Sequence, residues 1–276
     1  MRLFNKVAIV GTGLIGGSLA LFIKKNKLAG EVVGVARHKA SLAQAIKMKA
    51  IDRGSLSLDI IKGADLIILA TPVDSIIALR KEILKNAGKD CVVTDVGSTK
   101  EKIVSLLGKD FKNYIGSHPL AGSEKRGIEN ASQDIFKDSL CILTPTKKAS
   151  KKALGKIKSL WLKTGSRVVI LSPEVHDKAL SFTSHLPHIA AFSLINSVPL
   201  NFLKLSSGGL KDTTRVALSS PLLWQAIFLT NRNDLLSALA VFEKNLRMIK
   251  SAIKNNDRKT LTRILSQAQK KRSILE

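Results

Sequence analysis

The run VAIVGTGLIGGSLA, residues 7–20, restricts this chain more than any other stretch. An apolar run leads straight into Gly11, Gly13 and Gly16, spaced as G-x-G-x-x-G, and a helical pattern follows. The first glycine of such a set allows a tight turn, the second lets the backbone approach a pyrophosphate, and the third lets helix pack closely on sheet. The start of the helix then offers unpaired N–H groups to the anion. Gly11, Thr12, Gly13, Leu14, Ile15 and Gly16 are therefore the expected phosphate cradle of a bound dinucleotide.

The rest of the first half fits a sheet that could carry such a cradle. KVAIV (6–10), EVVGVA (31–36), ADLIILATP (64–72), CVVTDVGS (91–98), YIGSH (114–118) and SLCILTP (139–145) read as strands buried on both faces. Helical patterns separate most of them, notably at 14–26, 73–86 and 99–107. Strand and helix in alternation predict a parallel, doubly wound α/β sheet of the Rossmann type. A lysine-rich helix and a last strand, RVVIL (167–171), lead out of it. From Pro173 onward the strand pattern stops, and residues 173–198, roughly 220–230, 231–255 and 257–273 carry apolar residues at three-and-four spacing. The expected division is a dinucleotide-binding domain over 1–172 and an all-helical domain over 173–276, the latter a candidate surface for a homodimer.

An acidic residue about 20 residues beyond the cradle would grip the ribose 2′-hydroxyl of NAD. Here the second strand ends instead in Ala36, Arg37, His38 and Lys39. Arg37 and His38 suit a 2′-phosphate, so NADP is the preferred cofactor, with NAD the alternative if Arg37 only stacks on adenine.

Composition narrows the class. The 276 residues carry 45 Lys and Arg against 21 Asp and Glu, a formal charge of +24, with a surplus of 8 in residues 1–146 and of 16 in 147–276. Such a field attracts anions of many kinds. No basic stretch interleaves with aromatics as a nucleic-acid groove would, so a lysine-rich solvated surface is the expected reading and nucleic acid is not an expected partner. No apolar run reaches the roughly 20 residues needed to cross a bilayer, and the N-terminus lacks a cleavage pattern, which points to the cytoplasm. Cys91 and Cys141 stand apart inside apolar strands and read as buried free thiols.

The remaining motifs are ATPVD (70–74), DVGSTK (95–100), GSHPLAGSEKRG (116–127), HDKALSFTSHLPH (176–188) and GGLKDTTRVA (208–217). Together with the cradle, and in that order, they resemble the prephenate and arogenate dehydrogenases of tyrosine biosynthesis over essentially the whole chain. The resemblance implies an oxidative decarboxylation: a cyclohexadienol gives hydride to the nicotinamide, loses CO₂ and becomes aromatic. It implies that His118, in GSHP, accepts the hydrogen bond from the 4-hydroxyl of prephenate or arogenate, and that Ser98 touches the same hydroxyl and the cofactor. It further implies that Arg215 clamps a substrate carboxylate with Lys211 nearby, that Thr71 and Pro72 lie against the cofactor, and that Ser123 and Glu124 sit in a loop beside the pocket. An imidazole ending a buried strand, with an ordinary pKa near 6.5, suits a group that takes up a proton at neutral pH.

The resemblance also places His185, and with it His176 and His188, around the substrate. On one ideal helix His176 and His185 would lie about half a turn apart, so all three face one site only if the helix is distorted, for instance at Pro187. No acidic or cysteine ligands accompany them at a metal-binding spacing, and no metal is expected. Two other functions remain open from sequence: another two-domain dehydrogenase of small hydroxy acids, and a basic NADP-binding module that contacts nucleic acid.

Overall fold

A computed structural model describes residues 2–122, 125 and 127–276. The nucleotide-binding part alternates strand and helix from the start: β1 (Phe4–Val10), α1 (Leu14–Lys25), β2 (Ala29–Val35), α2 (Lys39–Lys47), β3 (Arg53–Ser55), β4 (Leu66–Leu69), α3 (Val73–Asn86), β5 (Val92–Asp95), α4 (Glu101–Asp110) and β6 (Tyr114–Pro119). Then come β7 (Leu140–Pro145), α5 (Lys151–Lys163) and β8 (Arg167–Ile170). The eight strands form one sheet in the order β3-β2-β1-β4-β5-β6-β7-β8.

The sheet is buried on both faces, and that is why its strands read as unbroken apolar runs. Leu66 and Ile68 of β4 join a core with Leu19 and Ile23 of α1 and Trp161 of α5. Ile67 and Leu69, the alternate residues, join the opposite core with Ile76 of α3 and Ile103 and Leu107 of α4. β3 escapes the apolar pattern because it is a three-residue edge strand, Arg-Gly-Ser, with no apolar run to read.

The expectation of a wholly parallel sheet is corrected at β7, which runs antiparallel to β6, while β8 runs parallel to β7. The reason lies in the β6–β7 link. Its described residues carry a short 3₁₀ turn, Ile128–Asn130, in place of a crossover helix. It folds over α1, where Ser132 N–H donates to Ser18 Oγ at 3.0 Å, and returns to the end of the sheet it left, so that Leu120 N–H donates to Leu140 O at 2.7 Å. A strand entered from that end must run backwards.

Beyond β8 the chain is helical: α6 (Pro173–Leu180), a π turn (Ser181–His185), α7 (Leu186–Asn196), α8 (Gly208–Thr214), a 3₁₀ turn (Arg215–Leu218), α9 (Pro221–Thr230), α10 (Arg232–Lys254) and α11 (Arg258–Arg272). Local chemistry sets several starts. Ser172, Ser220 and Asp257 accept from N–H groups of the first turn, and Pro173 and Pro221 stand just inside it. These helices bury little among themselves. Of the 23 residues of α10 only Leu235, Ala238 and Ala252 are buried, and α11 buries none. Leu222, Leu229, Leu236, Leu246 and Ile253 are exposed. No described helix is long and apolar enough to cross a membrane.

Candidate active site

The cradle forms where the glycines place it. Gly11 has φ +102°, and a Cβ there would lie 2.5 Å from the carbonyl oxygen of Ala70, so only glycine fits. Around Gly13 the space is open, with nothing within 4 Å of where its Cβ would be. α1 begins at Leu14 and Ile15 with no side-chain cap and no acidic residue in its first turn, which leaves its N–H groups for an anion. Buried Thr12 Oγ1 and Thr71 Oγ1 have no hydrogen-bond partner among the described residues. They border a cleft of about 650 Å³ that Pro72, Arg37 and His38 also line. Open space, free N–H donors and unpartnered hydroxyls together fit a dinucleotide. Arg37 and His38 are exposed where they line it, Lys39 follows them in the chain, and Glu82 and Glu129 also line the cleft.

The second cluster spans the two parts of the chain. His118 lies on β6 with 7 % of its surface exposed. Its Nδ1 meets Nε2 of His176, from α6, at 2.8 Å. Nδ1 of His176 meets Oδ1 of Asp177 at 2.7 Å. Asp177 in turn holds the start of α4, accepting from the N–H of Lys100 at 2.7 Å and of Glu101 at 2.9 Å. Asn231 closes the back of the cluster, since its Nδ2 donates to the Asp177 carbonyl at 2.8 Å and faces Nδ1 of His185 at 3.1 Å. Nε2 of His185 is buried without a partner among the described residues.

The π turn resolves the phase problem posed by the histidines. One residue inserted into a helix takes about 100° off the angle between residues on either side. The half-turn separating His176 from His185 thus shrinks to about 80°, and both are fully buried on one side. Pro187 follows the turn in the first turn of α7 and is not itself the distortion. His188 lies one turn on, its ring stacked on Trp224 of α9 at 3.5 Å and 24°. Its Nδ1 donates to Ser184 O at 2.9 Å.

Burial is the first cause that lowers the pKa of all four histidines. His118 falls well below its usual range, with His176, Lys100 and His185 adding to the effect. His185 is brought down to about 4. In His176 the neighbouring Asp177 pulls the other way without overcoming burial. The charge of Arg215 contributes to the lowering at His188, after burial. Lys100 is itself fully buried, ion-paired to Asp95 Oδ2, and Tyr114 OH donates to Asp95 Oδ1 at 2.5 Å.

The structure therefore brings His118, His176 and His185 into one buried cluster, with His188 one turn on. Ser98 is half-buried in the turn from β5 to α4, a turn fixed by Gly97 N–H donating to Asp95 Oδ2 at 2.8 Å. Arg215 and Lys211 are exposed, on the 3₁₀ turn and on α8. Ser123 and Glu124 lie outside the described residues. His176 needs revision as a substrate contact: both its ring nitrogens are engaged within the protein, so it stands behind His118 rather than beside a ligand. Asp177, Asn231, Trp224 and Lys100 were not singled out from sequence. Asp177 stood next to His176 in its motif, Trp224 lay in the helical pattern near 220–230, and Asn231 opened the one over 231–255.

Comparison with known proteins agrees with this geometry. Residues 19–170 match the family model described as prephenate dehydrogenase, nucleotide-binding domain, and residues 172–267 the one described as prephenate dehydrogenase, dimerization domain. The chain is 34% identical to the prephenate dehydrogenase of Bacillus subtilis, over 96% of its own length and 74% of that protein. Prephenate dehydrogenase from Aquifex aeolicus, solved with hydroxyphenyl propionate and NAD+, superposes with a TM-score of 0.92 at 34% identity, covering 99% of this chain and 98% of that one. Synechocystis arogenate dehydrogenase gives 0.85 at 28% identity, over 98% and 100%. Fold, cradle and histidine cluster thus have one explanation between them, and the chain belongs to the prephenate dehydrogenase family.

Proposed function

We propose that this chain oxidises prephenate, arogenate or both, passing hydride to NAD(P) and releasing the ring carboxylate as CO₂, as a cytoplasmic enzyme of tyrosine biosynthesis. Residues 1–172 bind the nucleotide and residues 173–276 complete the substrate site and pair two copies. When bound, the nicotinamide supplies the hydride acceptor; the cradle at Gly11–Gly16, with Thr12, Thr71 and Pro72, would hold its dinucleotide. Arg37 and His38 favour the 2′-phosphate of NADP over NAD. The observation that carries the reading is the state of His118. Lowered pKa and a bonded Nδ1 leave Nε2 as a bare acceptor at neutral pH.

His118 takes the proton of the ring hydroxyl as hydride departs from the same carbon. The bond to the carboxylate then breaks, its electron pair enters the ring, and His118 returns its proton to the oxygen, now phenolic. Ser98 orients that hydroxyl. Arg215, with Lys211, holds the carboxylate until it leaves, and His185 and His188 bound the pocket on the helical side. Aromatisation supplies driving force, so the protein's task is mainly to orient and to exclude water. A rate assay at 340 nm with each substrate and each cofactor tests the reading. His118→Asn should keep a near-normal KM while kcat falls on the order of 10²–10⁴-fold; a variant retaining more than a tenth of the activity would remove His118 from the chemistry.

A further inference from the structure

We infer that His176 and Asp177 are positioning residues that fix the tautomer of His118, so that the helical part of the chain sets the proton-accepting atom of a base carried on the nucleotide-binding part. The inference rests on the reading of His118 as the base and goes one step behind it.

The three groups form a directional chain. Asp177 receives backbone N–H groups on both carboxylate oxygens, from Lys100 on Oδ1 and from Glu101 on Oδ2, so it is anchored as an acceptor. An anchored carboxylate has no proton to give, and Nδ1 of His176, 2.7 Å from Oδ1, must carry the hydrogen. His176 is fully buried and its pKa is lowered, so it holds only that one proton, and its Nε2 is a lone pair. The 2.8 Å contact then requires Nδ1–H on His118. Nε2 of His118 is left unprotonated, which is the form that can accept from a hydroxyl. Reversing the contact between the two rings would put a second proton on buried His176, and reversing the one to Asp177 would need a proton on the anchored carboxylate.

The arrangement also explains why Asp177 serves two partners. The carboxylate that anchors the chain of rings is the one that satisfies the first N–H groups at the start of α4, a helix of the other part. Asn231 adds a donor to the Asp177 carbonyl and thereby fixes the backbone from which both side chains project. The base is therefore assembled only when α6 is seated against α4 and β6.

Two substitutions of His176 separate positioning from packing. His176→Gln keeps a carbonyl oxygen able to accept from His118, and His176→Phe keeps the ring without the acceptor. Positioning predicts that the Phe variant loses about 100-fold or more in kcat and that Gln recovers much of the loss, with KM for prephenate and NADP within about threefold in both. A packing role predicts the reverse order, because Phe fills the space better. Asp177→Asn sets Nδ2–H against a backbone N–H of α4 in either amide orientation, which loosens the anchor of the chain, and should also lower kcat. In His118→Asn/His176→Phe the second change should cost nothing further, since both act on one proton acceptor. If His118→Asn is impaired while His176→Phe and Asp177→Asn turn over within threefold of the native enzyme, the positioning inference is overturned and the base survives. If His118→Asn itself is fully active, the base assignment has failed first.

Discussion

Replacing Lys100 by Met tests whether the buried charges under the site are there to be balanced. Lys100 and Asp95 are both fully shielded, and Lys100 Nζ is ion-paired to Asp95 Oδ2. Methionine keeps the aliphatic length and removes the charge. Asp95 would then rely on Tyr114 OH at 2.5 Å and Gly97 N–H at 2.8 Å. Breaking one side of a buried pair costs about 3–5 kcal/mol. Two surviving neutral donors place this case at the low end, about 3 kcal/mol, or on the order of 6–12 °C in Tm. Urea unfolding of the cofactor-free protein by circular dichroism, with m-values compared, measures it. Asp95→Asn/Lys100→Met should return to within about 1 kcal/mol of the native chain, because no uncompensated charge remains. There is a kinetic counterpart. The Lys100 charge is one of the causes, after burial and His176, that lower the pKa of His118. Its removal lets His118 hold a proton to higher pH, so the acid limb of kcat should move upward. A single variant as stable as the native chain, with an unmoved acid limb, would refute the reasoning.

Three further outcomes are expected. Arg37→Ala should weaken NADP by about 1.5–3 kcal/mol and NAD far less, read as kcat/KM for each cofactor; equal use of both by the native enzyme would sink the preference. Arg215→Ala should raise substrate KM about 10–200-fold with a smaller change in kcat, Arg215→Lys recovering part of it, and an unchanged KM would put the carboxylate elsewhere. Acid should destabilise the fold: His185 titrates at about 4 when folded and near 6.5 when unfolded, so its stabilising contribution is full above 6.5 and is lost as pH falls toward 4. That contribution is bounded at about 3 kcal/mol, the other three histidines act in the same direction, and a stability flat between pH 7 and 5 would contradict it.

What could be read in the sequence was whatever local pattern determines. The cradle, the strands of the central sheet and the helical second half all follow from spacing and apolar periodicity. β3 was invisible because an edge strand of Arg-Gly-Ser buries too little to leave a pattern. The reversal of β7 depends on how the 120–139 link folds over α1, which is a tertiary matter. His118 could be named from its motif, yet its partner could not. His176 and His185 come to one side only because a π turn lies between them, and i→i+5 bonding leaves no residue signature. Asp177 and Asn231 looked like ordinary polar residues of helix surfaces until docking buried them.

The sparse interior of the helical part ties catalysis to mass action. α10 is about 34 Å long at 1.5 Å per residue, and Leu236, Val241, Leu246, Met248 and Ile253 along it are exposed in a single copy. A second copy covering that face would contribute free energy that falls away on dilution. α10 begins directly after Asn231, and Asn231 bonds Asp177 and His185, so this helix is joined directly to the histidine cluster. The expected consequence is a specific activity that falls as the enzyme is diluted, read from initial rates over a series of enzyme concentrations.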